Sequence, residues 1–137
     1  MVKKNLRLSG FTLPELLVVL VIIGILVLLA LPSLMPLISK TRSIEAKQAL
    51  NMVYRLQQTY QYEYAKYSTD LDQIGFEQEP LVSEDVNGSS HYRIELLDVS
   101  PAGYRARATA VTDFDNDGQF NVWEINQDGN LVELTRD

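Results

Sequence analysis

From Leu16 to Ile38 the chain runs "LLVVLVIIGILVLLALPSLMPLI" without one charged side chain. As a helix rising 1.5 Å per residue, about 23 residues reach about 34 Å, enough to cross the hydrocarbon core of a membrane. Lys3, Lys4 and Arg7 before the run, against Lys40 and Arg42 after it, favour a cytoplasmic N-terminus by a small margin. A secretory signal would stop its apolar stretch sooner, at a small-x-small cleavage site, whereas the nearest candidate, "LLA" at residues 28–30, begins with leucine. The segment therefore reads as a span that stays with the protein. One charge stands at its mouth, Glu15. A carboxylate at the bilayer centre costs about 2.5 to 3.5 kcal/mol and less near the interface, so an acid here calls for a function and a cationic partner.

The residues around Glu15 carry a family resemblance. Gly10, Phe11, Thr12, Leu13, Glu15, the run "LLVVLVIIGIL", Gly24 and Pro32 resemble the class III signal of type IV pilins and pseudopilins. The resemblance implies that a prepilin peptidase removes residues 1–10 as a leader by cutting between Gly10 and Phe11, and N-methylates Phe11. It implies an inner-membrane precursor, handled by an assembly platform, that enters a helical polymer of itself and related subunits at the cell surface or in the periplasm. It also supplies the partner: Glu15 would meet the Phe11 amine of a neighbouring subunit. Pro14 departs from the commonest form of the motif, although proline is tolerated in a helix's first turn, where its missing N–H has no intrahelical acceptor. Pro32 would remove a helical hydrogen bond and crowd the Leu28 carbonyl, and Gly24 costs about 1 kcal/mol against alanine. Together they mark Gly24 to Pro32 as a segment expected to kink or unwind, through local melting in a filament or as a bend tolerated in the membrane.

After the apolar run, assigned to 11–38, Ala46, Ala49, Leu50, Val53, Leu56, Tyr60, Tyr64 and Tyr67 recur at steps of three and four. That spacing predicts an amphipathic helix over 39–67. Five of the seven tyrosines fall between Tyr54 and Tyr67. They read as amphipathic rings packed beneath a head, with an aromatic contact surface as the alternative. Residues 68–90 are rich in turn formers and read as a variable connection. Beyond it, "HYRIELLDV", "YRARATAVT", "NVWEI" and "LVELT" alternate as short strands, with "SPAG" and "NQDGN" as turns. The expected fold is α+β: a long N-terminal helix, transmembrane and then amphipathic, packed on an antiparallel sheet of three to four strands within 91–137, pilin-like.

The loop 113–124, "DFDNDGQFNVWE", places Asp113, Asp115, Asp117, Gly118 and Glu124 on the D-x-[DN]-x-[DN]-G-x5-E pattern of a calcium loop. Gln119 would offer its carbonyl at position 7, and Asn121 would serve at position 9. Strands rather than helices flank the pattern, so an unmetallated acidic turn is the competing reading.

Composition removes other classes. The chain's net charge of −6 becomes about −9 once Lys3, Lys4 and Arg7 are set aside, so no nucleic acid is expected on the head. There is no cysteine, and His91 is the only histidine. With no nucleophile motif and no phosphate-cradling glycine loop, catalytic residues are expected to be none. Two alternatives stay open beside a pilus subunit. One is a type II secretion pseudopilin, whose usual glycine- and aspartate-rich ending "NVWEINQDGNLVELTRD" does not match; the other is a membrane-anchored, calcium-dependent binding module.

Overall fold

The computed structural model describes residues 10–31 and 35–137, with side chains up to residue 31 and from residue 40 onward. The chain divides after Leu34 into two compact units. In the first, helix α1 runs Leu13–Ala30 and buries none of its residues. Its 18 residues have a mean hydropathy of 3.0, and every side of the helix is apolar, so it has no preferred face to turn toward a core.

The second unit begins with helix α2, Met35–Tyr64, followed by a short 3-10 helix at Asp72–Ile74 and four strands: β1 Tyr92–Ser100, β2 Gly103–Ala110, β3 Val122–Asn126 and β4 Leu131–Thr135. The strands pair antiparallel in the order β1-β2-β3-β4. The expected α+β class, with a helix packed on a small antiparallel sheet, is the observed one.

Helix α2 presents a narrow buried seam, Ser43, Ala46, Leu50, Val53 and Gln57, at the expected steps of three and four. It faces the inner side of the sheet, where Tyr104, Ala106, Ala108 and Ala110 alternate along β2 and Tyr92, Ile94 and Ile125 flank them. The three alanines leave room for the helix backbone to approach β2 closely. Tyr104 is buried among Tyr67 and Tyr54, and desolvation, followed by those neighbouring phenols, raises its pKa well above the ordinary tyrosine range.

The tyrosines divide between two environments. Tyr67 is buried 5.0 Å from the Tyr104 ring centroid, and Tyr54 and Tyr60 pack against the core. Tyr62 and Tyr64 are exposed.

The helix expected to reach about Tyr67 ends at Tyr64, because Ala65 turns left-handed at φ 53° while its N–H bonds the Gln61 carbonyl. Ser68 is then hooked back to the seam. Its N–H donates to Gln57 Oε1 at 2.9 Å, and Gln57 Nε2 donates to its carbonyl at 2.8 Å. Residues 68–90, read as a connection, bury Ile74, Phe76 and Leu81. Gln78 lies along the outer side of β1, accepting the Ile94 N–H at 3.0 Å and donating to the Tyr92 carbonyl at 3.2 Å. At the β3–β4 turn Gly129 has φ 76°, and a Cβ there would stand 3.2 Å from Tyr54 Cζ, so both conformation and space require glycine.

Gln57 is wholly buried, and a hydrocarbon in its place would strand two backbone groups of Ser68 without partners. Gln57→Leu is therefore expected to lower the stability of the second unit by about 2 to 4 kcal/mol, read from urea unfolding. A loss below about 0.5 kcal/mol would show that solvent reaches Ser68 and that the clamp does not set the helix end.

Candidate functional site

Two places bring chemistry-bearing residues together, the start of α1 and the acidic loop between β2 and β3. At the first, Thr12 is the N-cap and Pro14 sits in the first turn, so Glu15 falls at the third helical position. Its Oε2 accepts the Thr12 backbone N–H at 3.2 Å and the Thr12 hydroxyl at 3.4 Å. The carboxylate thus occupies the positive end of the helix dipole and satisfies a donor that the helix leaves unpaired. Among the described residues both of its partners belong to its own cap. Phe11 is 78 % exposed, and the Gly10–Phe11 bond lies outside the helix in open chain.

A Cβ added at Gly10 or at Gly24 would meet nothing within 4 Å, so packing within the chain explains neither glycine. Helix α1 continues without interruption through Gly24 to Ala30, and the Leu31 N–H still bonds the Val27 carbonyl. The kink or unwinding expected from Gly24 is therefore not seen as far as Leu31. A propensity cost of about 1 kcal/mol does not break a helix whose neighbouring turns are intact. Pro32, the other half of that expectation, lies outside the described residues.

In the second place, Asp113, Asp115 and Asp117 bring carboxylate oxygens within 4.8 Å of one another. The backbone holds them there. Asp113 accepts the N–H groups of Asn116 and Gly118 at 2.6 and 2.8 Å, Asp115 that of Asp117 at 3.0 Å, and Asp117 that of Gln119 at 2.7 Å. Asn116 and Gly118 take left-handed backbone at φ 61° and 88° to aim these donors inward. The Asp137 carboxylate closes the ring by accepting from Phe114 and Asp115 at 2.9 and 3.1 Å. Although Asp115 is exposed, desolvation, with the neighbouring charges of Asp117, Asp137 and Asp113, raises its carboxyl above the ordinary value; the Asp117 N–H opposes the shift.

The six expected ligands are divided. Gln119 lies beside the triad, with its side-chain amide on Asp117 at 3.1 Å. Asn121, 1 % exposed, accepts from the Tyr92 hydroxyl at 2.8 Å and donates to Glu133 and to the Thr135 carbonyl at 2.9 and 3.0 Å. Glu124 stands on the outer face of β3, paired to Arg107 at 2.9 Å and to Arg105 at 3.3 Å. The reason is the strand. After the loop an EF-hand winds into a helix that returns position 12 to the ion, whereas here residues from Val122 extend at about 3.3 Å each and set Glu124 opposite Arg107 in the sheet register. Three carboxylates alone fall short of the six to eight oxygens that calcium takes.

Sequence reasoning did not find Asp137 or Glu133, since nothing local signals that the last strand returns beside the loop. His91 has a packing role. Its N–H donates to Glu45 Oε1 at 2.7 Å, its ring lies 3.2 Å from Glu45 Oε2 and 3.3 Å from Arg42, and the Phe114 ring lies tilted against it with centroids 6.2 Å apart.

Residues 7–31 match the family described as the prokaryotic N-terminal methylation motif. Over 72 residues, 53 % of the chain, the sequence is 39 % identical to the type IV major pilin protein PilA of Myxococcus xanthus strain DK1622. The chain spans about a third of that protein's length, 33 %. It thus carries the prepilin-type methylation motif and is homologous to a type IV major pilin.

The raised Asp115 pKa fixes a pH dependence. A carboxyl held above its unfolded value contributes stability below the unfolded pKa and loses that contribution as pH rises through the folded one. Asp115→Asn is therefore expected to raise the melting midpoint at neutral pH, with the gain shrinking toward about pH 3. Equal midpoints for both proteins across that range would show that the loop carries no net carboxylate repulsion.

Proposed function

We propose that this chain is a structural subunit of a type IV pilus-like filament. It is made as a single-span membrane precursor with residues 1–10 in the cytoplasm and the acidic unit outside, cut between Gly10 and Phe11 by a prepilin peptidase, and N-methylated on Phe11. The observation that carries the proposal is a helix apolar on every side and, among the described residues, buried nowhere, with one carboxylate, Glu15, bonded there only within its own cap. Such a helix is covered either by lipid or by other copies of itself. In lipid, Glu15 sits at the interface near water; in a bundle it needs a cation. Cleavage creates one, because the new Phe11 amine is charged and lies four residues from Glu15 in each copy.

A subunit out of register would leave the carboxylate buried and unmatched, at about 3 to 5 kcal/mol by analogy with broken buried pairs. The pairing therefore specifies axial position as well as adhesion between helices. Gly24, with open space where a Cβ would be, lets a neighbouring helix approach closely. Pro32 has no N–H to offer a helical carbonyl, which suits it to be a point where a helix loosens under packing.

The Asp113, Asp115 and Asp117 triad supports a second reading for the loop, a weak calcium site completed by the Gln119 carbonyl and water. Calcium would relieve the repulsion at Asp115 and add stability by mass action. A melting midpoint raised by millimolar calcium and returned by a chelator is expected, while identical midpoints leave the loop a plain turn.

Filament assembly is tested with Glu15→Ala and Glu15→Gln. Both variants are expected to insert and be cut normally, while filament yield falls on the order of 100-fold, the equivalent of about 3 kcal/mol. Wild-type yield from either variant overturns the pairing. Mass spectrometry of the mature protein should find an N-methylated Phe11 terminus; an uncut Met1 terminus would favour the anchored binding module instead.

A further inference from the structure

The segment Leu81–Ser90 forms a projecting loop whose base is pinned. Leu81 and Ser90 pair in an isolated parallel bridge, Val82 N–H bonds the Ser90 carbonyl at 2.9 Å, and Ser89 and Ser90 both donate to the Pro80 carbonyl at 3.0 and 3.1 Å. Its tip is a turn over Asp85–Gly88, closed by the Gly88 N–H on the Asp85 carbonyl at 2.9 Å. The Asp85 side chain braces it by accepting the Asn87 N–H at 2.8 Å. Gly88 is dictated by space, since a Cβ there would lie 2.2 Å from the Leu81 carbonyl oxygen.

Asn87 has no comparable structural role. Its side chain is exposed and has no hydrogen-bond partner among the described residues; the one bond at this position is made by its backbone N–H. Its backbone is not left-handed either, unlike that of Asn116. The two usual reasons for asparagine in a turn, a side-chain bond to the backbone and tolerance of positive φ, are both absent. Beside it Val86 projects fully into solvent at 101 % exposure.

What asparagine does supply is a carboxamide nitrogen at a loop tip, in the tripeptide Asn87-Gly88-Ser89. An asparagine followed two residues later by a hydroxyl, with no proline between, is the acceptor pattern for N-linked glycan transfer. The hydroxyl is on the surface, with Ser89 Oγ donating to Glu79 at 2.8 Å. Two residues before the asparagine, Asp85 adds a carboxylate that a cationic transferase can hold.

We propose that Asn87 is a glycan acceptor. The proposal rests on the reading that this unit lies outside the cytoplasm, where a lipid-linked sugar pyrophosphate would be the donor. Asn87 Nδ2 bonds to the anomeric carbon of the first sugar, and the bond from that carbon to the phosphate oxygen breaks. The pyrophosphate leaves on its lipid with the electron pair, and one amide proton passes to a base of the transferase. No redox change is involved.

The test uses the full chain purified from its own cells and digested with trypsin. Peptide 67–93 is expected to carry added mass equal to a whole number of sugar residues. That mass should vanish in Asn87→Gln and Ser89→Ala and persist in Ser89→Thr. Unmodified peptide overturns the proposal, as does a gain of about 1 Da from spontaneous deamidation at Asn87–Gly88. Peptide 11–40 in the same digest reports Phe11 methylation. A methylated Phe11 with bare Asn87 leaves the filament reading standing and removes this one, whereas a glycan on Asn87 without methylation does the reverse.

Discussion

The second unit depends on one close contact, the seam of α2 laid over the alanines of β2. Ala106, Ala108 and Ala110 are small enough for a helix backbone to settle against the strand, and Leu50, Val53 and Ile125 fill the space on either side. With no disulfide to hold the C-terminal strands, this apolar seam and the hydrogen bonds that close its ends fix the head. Gln57 and Ser68 end it at one side, and His91 with Glu45 ties the start of the sheet to the helix. Everything displayed on the outside, the acidic loop and the projecting turn included, is held in place by that layer.

The first unit follows the opposite rule. Helix α1 makes no core and offers no preferred face, and none of its residues is buried among the described ones. The one polar demand it makes is at Glu15, whose charge is tolerated at the helix start because the cap and the dipole favour it. Moving the carboxylate a turn further in would remove both supports. The two units thus differ in kind: the residues of α1 are left uncovered, and the second unit encloses its own core.

How far these features could be read in advance follows from their physics. The span and its lone acid were legible because both are one-dimensional properties of composition. The strands were legible because half-buried strands alternate, as "YRARATA" does with its arginines outward and its alanines inward. The end of α2 was misjudged by about three residues, since Ser68 returns to Gln57 through a contact invisible in local pattern. The calcium motif matched each letter of the pattern, yet Asn121 and Glu124 went elsewhere. A motif presumes the secondary structure that follows it, and here a strand replaced the helix. Asp137 and Glu133 became partners of the loop only because the meander brings β4 back beside it.

One side chain has a consequence beyond its own hydrogen bonds. By offering a carboxamide to both Tyr92 and Ile94, Gln78 imitates the peptide unit of an additional strand. The border of the sheet at β1 is thereby sealed against a foreign strand that would otherwise add there. At the other border β4 is only five residues long and carries the Glu133–Arg136 pair, features that blunt such additions. A sheet with open borders can grow from copy to copy, and here the sheet is finished.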